Sequence, residues 1–105
     1  MRISIEYSDY NRRRYSRPWI AKVVSWQPGK YPQVEWGEYY GDDSGGECVI
    51  EAESGDIIRT GRKDYRRSDK SYSAWFIVEE SGELTEINMA KAAEYYQKSE
   101  VLDKN

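Results

Sequence analysis

The chain contains no histidine, and cysteine occurs once, at Cys48. Without imidazole there is no Ser–His or Cys–His activation of a nucleophile and no histidine ligand for a metal. A single cysteine excludes an internal disulfide, a thiolate zinc cluster and Cys-X-X-Cys redox chemistry. Cys48 lies in the apolar run Cys48-Val49-Ile50 and reads as a small buried core residue. A lone thiol fits a reducing compartment, so a cytoplasmic location is expected. No apolar run approaches the ~20 residues of a membrane span. The N-terminus, MRISIEYSDY, has no apolar h-region and no cleavage site, so neither a membrane role nor a signal peptide is expected.

Phosphate-cradling glycine motifs are missing too. GDDSGG, residues 41–46, lacks the Lys-Ser/Thr of a P-loop and the spacing of a dinucleotide fingerprint. Asp42 and Asp43, with Glu38 and Glu47 nearby, offer oxygen ligands to a hard cation, but EF-hand spacing is absent. The stretch is read as a mobile, solvated loop, and no metal or cofactor is implied. With 19 acidic residues in the chain, some carboxylate pair falls within reach by chance. Such a pair carries no signal without a nucleophile, a base and an orienting group. The chain is therefore read as non-catalytic.

What is present is aromatic and charged. Leucine occurs twice and phenylalanine once, against ten tyrosines and four tryptophans. At 105 residues the chain suits a single domain, 1–105. Its core must rest on Ile, Val, Trp and some of the Tyr rings, whose polar ends need partners or water. The expected core is Ile3, Ile5, Val23, Val24, Trp36, Val49, Ile50, Ile57, Phe76, Val78 and Met89.

Most of the chain patterns as strand. RISIEY alternates, with Ile3, Ile5 and Tyr7 on one face. WIAKVVSW, residues 19–26, is β-branched and aromatic with Lys22 its one charge, as a central strand covered on both faces would be. QVEWGEYY alternates again. ECVIEA and DIIRT read as a hairpin about Ser54-Gly55, and YSAWFIVEE and ELTEI as another about Ser81-Gly82. From Asn88, an N-cap residue, an alanine-rich segment without Gly or Pro predicts a helix over about 88–101. The expected fold is mainly β (α+β): about six or seven strands in a small twisted antiparallel sheet or barrel, with one C-terminal α-helix. Its size resembles an SH3-like or OB-like barrel, an architectural analogy that implies no function.

Charge is sorted into blocks. Residues 10–30 hold six basic residues and no acidic one; residues 31–58 hold eight acidic and no basic; residues 59–70 hold six basic and two acidic. The two basic blocks share a composition. Arg12, Arg13, Arg14, Tyr15 and Arg17 precede the strand at Trp19, and Arg62, Lys63, Tyr65, Arg66 and Arg67 fall in the connection after DIIRT. Guanidinium groups fork onto phosphate oxygens and tyrosine rings stack on unpaired bases. If the two loops meet, these ten residues make a surface for single-stranded nucleic acid or RNA. The opposing reading is that the arginines pair with the acidic block and leave no free positive patch, which suits the formal net charge of −3. The alternative function is a protein–protein interaction module, an inhibitor or adaptor that uses its charge-polarised surface.

Overall fold

The computed structural model describes residues 1–8, 14–68 and 70–103, with side chains through residue 97. In chain order the elements are β1 (Arg2–Ser8), β2 (Trp19–Ser25), β3 (Gln33–Trp36), β4 (Glu38–Asp42), β5 (Gly45–Glu51), β6 (Ile57–Asp64), β7 (Lys70–Val78), β8 (Leu84–Ile87) and α1 (Met89–Asp103). They form two antiparallel sheets, a small one of order β1-β5-β4 and a large one of order β3-β2-β6-β7-β8. The mainly β expectation holds, in the form of two sheets with one helix.

Three layers follow from where the apolar residues point. Ile3, Cys48, Ile50 and Ala52 of the small-sheet side meet Ile20, Ile58 and Val78 of the large sheet, with Ile5, Phe76 and Leu84 at the margin. The other face of the large sheet packs Val23, Trp26, Ile57 and Trp75 under Ala92 of the helix. Trp26 and Trp75 stack there, with centroids 5.1 Å apart and planes 18° from parallel. Asn88 caps the helix as expected: its side-chain oxygen accepts the Lys91 N–H at 2.7 Å. The Tyr96 hydroxyl donates to the Val24 carbonyl at 3.1 Å and ties the helix across to β2.

Several local expectations change. QVEWGEYY is two strands in different sheets, because the chain turns at Gly37, whose N–H donates to the Ile20 carbonyl at 2.8 Å. The turn at Ser54-Gly55 joins β5 to β6, yet these belong to different sheets and form no hairpin. GDDSGG is a tight hairpin: only residues 43 and 44 lie outside β4 and β5. Gly41 has φ 127°, and a Cβ on it would lie 2.4 Å from the Gly45 carbonyl oxygen, so the glycines permit strand contact where looseness was expected. Of the expected core, Val24, Trp36 and Met89 are exposed. Val24 lies past the end of β5, whose last carbonyl, at Glu51, takes the Lys22 ammonium at 3.0 Å. Trp36 sits on an edge strand outside the helix-covered cluster, and Met89 is the first residue of the helix.

Candidate nucleic-acid interface

The two basic segments meet. Residues 14–16 run beside the end of β6 as a short extra strand: Tyr15 bridges to Asp64, the Ser16 N–H donates to the Lys63 carbonyl at 2.9 Å, and the Tyr65 N–H donates to the Arg14 carbonyl at 2.7 Å. The Ser16 hydroxyl accepts the Lys63 N–H at 2.8 Å. Segments about fifty residues apart in the chain are thus stitched into one corner at the tip of the β6–β7 hairpin.

Asp64 holds this corner. It is the buried charged residue among those described, with its side chain wholly out of solvent. One carboxylate oxygen accepts Arg14 Nε at 3.3 Å and Arg14 Nη2 at 3.2 Å; the other accepts the Arg66 N–H at 3.0 Å. Arg67 Nε stands 3.9 Å away. Burial pushes the Asp64 carboxyl up. The hydrogen bonds from Arg14 and Arg66 and the charges of Arg14 and Arg67 outweigh it, and the group lies below its ordinary 3.8.

The predicted residues divide by what they touch. Arg12 and Arg13 lie outside the described residues. Arg14 and Arg67 face Asp64, and Arg17 pairs with Asp43, so that one arginine does reach the acidic block. Arg17 also lies over the rings of Tyr7 and Tyr39, at 5.2 and 5.9 Å from their centroids. Tyr15 is gripped by two guanidinium groups, Arg62 at 4.0 Å and Arg14 at 5.0 Å from its centroid. Arg62, Lys63 and Arg66 are exposed, and none forms an ion pair with a described residue. Tyr65 is exposed beside them. Arg62 and Lys63 stand on β6 with Arg59, and not in a loop as expected, so their directions are fixed by the strand pleat.

Charge is sorted by face. The small sheet's outer surface carries Glu6, Glu38, Asp42, Glu47 and Glu51 around Arg2, as the pairings Glu6↔Glu47, Tyr40↔Glu47, Asp42↔Gly45, Glu38↔Val49 and Arg2↔Glu51 place them. The helix side of the large sheet has the opposite character. Trp36, Ala21, Arg59 and Trp75 form a row across four strands, with Trp19, Gly61 and Ser73 in the next row and Lys63 and Ser71 beyond. None of the residues on this face of β2, β3, β6 and β7 is acidic. Sequence reasoning did not place Trp19, Trp36 or Arg59 in the site: Trp36 was expected in the core, Trp19 in a covered strand, and Arg59 only as part of the basic block. The alternation Ile57, Arg59, Gly61, Lys63 was a usable signal, but Gly61 reads as a strand breaker until Trp19 is seen lying against it.

No group of three or more His, Cys, Asp or Glu among the described residues is placed to hold a metal ion. No helix among them is long and apolar enough to cross a membrane. Compared with known proteins, the chain matches no family model, and no curated protein or solved structure matches it either.

Proposed function

We propose that this protein is a small non-catalytic module that binds single-stranded nucleic acid, RNA or DNA, through the basic corner. The observation that carries the reading is the division of labour around Asp64. The buried carboxylate engages Arg14 and the Arg66 backbone, and this leaves the side chains of Arg62, Lys63 and Arg66 exposed without ion pairs to described residues. Cations held at fixed spacing on a strand and a tight turn suit phosphates along a flexible strand.

Fluorescence anisotropy with labelled single-stranded RNA and DNA tests it. Binding weakens with salt, with a log–log slope of about −0.7 per phosphate neutralised, so roughly −2 for three cations. The double variant Arg62→Ala/Arg66→Ala loses most of the affinity and flattens that slope. No change in anisotropy at low salt with either polymer would remove the proposal.

A second reading, a protein-binding adaptor or inhibitor, is favoured by the acidic outer face of the small sheet. Its test is a pull-down with Glu38→Lys/Glu47→Lys as control. A stoichiometric protein captured by the native chain and lost with the double variant supports it; identical capture by both counts against it.

A further inference from the structure

We infer that the uncovered half of the large sheet's helix-side face is a base-stacking platform, with Trp36 and Trp19 taking unpaired nucleobases and Arg59 and Lys63 facing the adjoining phosphates. The inference rests on the nucleic-acid reading above and names the part of the surface that contacts bases.

The helix covers only part of that face. Its cluster takes in Val23, Trp26, Ile57 and Trp75, with Val34, Ile77 and Ile87 at the margin, and leaves out Trp19 and Trp36. Trp36 is 63% exposed, although burying an indole is among the larger apolar gains open to a chain this poor in leucine. The ring is not loose: it meets Trp19 edge-to-face, centroids 5.3 Å apart at 72°. Trp19 in turn lies flat against Gly61, where a Cβ would come within 2.4 Å of the indole. Two indoles are therefore fixed on a strand surface, and the outer one presents itself to solvent.

Arg59 supplies a second, independent pointer. Its guanidinium lies 4.7 Å from the Trp75 centroid and 5.8 Å from that of Trp19. Its Nε is buried and has no hydrogen-bond partner among the described residues. Buried polar groups are nearly always satisfied, and a guanidinium is a donor in search of acceptors. The four strands put no carboxylate on this face, so an anionic ligand would meet the uncompensated positive charge of Arg59, though not its Nε, which the two indoles enclose. Aromatic faces interleaved with cations and hydroxyls, here Ser71 and Ser73, match a single strand, in which bases and phosphates alternate. The platform adjoins the basic corner through Lys63, which belongs to both.

The test compares two polymers of equal length and charge, a mixed-base single-stranded oligonucleotide and the same backbone made abasic. The native chain should bind the base-bearing strand about tenfold more tightly, the scale of one base–aromatic stack. Trp36→Ala should remove most of that preference, leaving only what Trp19 supplies, with abasic affinity and the salt slope unchanged, and Trp36→Phe should restore most of it. Trp36 is exposed, so both variants keep the fold, which circular dichroism checks. Equal affinity of the native chain for both polymers, or no effect of Trp36→Ala, overturns the platform and leaves the basic corner intact. Failure to bind either polymer removes the underlying reading and the platform together.

Discussion

Asp64→Ala lowers the melting temperature by roughly 8 °C or more, because emptying a buried site that accepts three hydrogen bonds is among the costlier single changes available to a small domain. The carboxylate accepts hydrogen bonds from Arg14 and from the Arg66 backbone. Without it, Arg14 loses its counter-charge and the Arg66 N–H loses its acceptor. The strip from 14 to 16 then keeps only its few backbone bonds to the hairpin. Single-strand binding should weaken as well, although Asp64 itself is acidic and its removal makes the protein more positive. That opposition of signs is the useful part. If charge alone governed affinity, Asp64→Ala would bind more tightly; if the corner's geometry governs it, the variant binds more weakly.

The same carboxylate sets a pH dependence. Its folded value lies below the ordinary 3.8, so the stability it contributes is complete above that value and is lost as pH falls through the folded one. Thermal melts of the native chain and of Asp64→Asn should differ by a constant amount between pH 5 and 7. The gap should close as pH drops below about 4. A gap that stays open in acid would mean that the charge of Asp64 is not what holds the corner.

Nucleic-acid binding by an acidic chain, as proposed, needs a physical account, since the sequence isoelectric point is near 5.1. Electrostatic recognition is local. The carboxylates of the small sheet's outer face and the cations of the large sheet's helix side are separated by two packed sheets, about 10 Å apart. Screening at physiological ionic strength acts over about 8 Å. A strand lying along Trp19, Arg59 and Lys63 therefore meets cations at contact distance, and carboxylates only at the margins, where Trp36 shares a cavity with Glu35 and Glu38 and Arg62, on the other face of β6, shares one with Glu6 and Asp43. The acidic face lowers the on-rate of a polyanion approaching from the wrong side, and so orients the encounter.

How much of this could be read from the chain follows the range of each signal. Alternation in β1, the β-branched density of β2, the turn at Ser81-Gly82 and the Asn88 cap are local patterns, and each stands in the structure. The composition of the two basic blocks was equally plain. Their junction was not, because the Tyr15–Asp64 bridge depends on where β6 ends relative to β2. Nothing in RKDYRR marks its one acidic residue; only burial reveals it as the anchor. Trp36 was assigned to the core because tryptophan in an alternating strand usually lies there. Its exposure results from a helix that covers only part of the face, which no pattern within QVEWGEYY encodes. The hairpin at Ser81-Gly82 was legible, while the one expected at Ser54-Gly55 is a crossing between the two sheets, because a strand that changes sheets keeps its local alternation.

That split leads to the second large effect. Gly37→Ala should lower the melting temperature by about 10 °C or more: overpacking a filled site costs about 2–3 kcal/mol, and a domain of this size loses about 4–8 °C per kcal/mol. A Cβ at Gly37 would stand 2.7 Å from Ile20 Cγ2, 2.8 Å from the Val49 carbonyl oxygen and 3.0 Å from that of Ile20. Two of these neighbours are backbone atoms, one in each sheet, so neither can turn aside as a side-chain end could. To make room the sheets must part where Ile20 and Ile50 pack in the inter-sheet core. Gly29 is the control. It has φ 75° and nothing within 4 Å of its would-be Cβ, so Gly29→Ala meets conformational strain alone, about 1 kcal/mol. Circular dichroism melts of the two variants separate the causes. Equal, small shifts would mean that the chain does not pass between the sheets at Gly37. A large shift for Gly37→Ala alone, together with loss of the Trp36-dependent preference for base-bearing strands, would show that the corner also positions the platform, since Gly37 directly follows Trp36 at the end of β3.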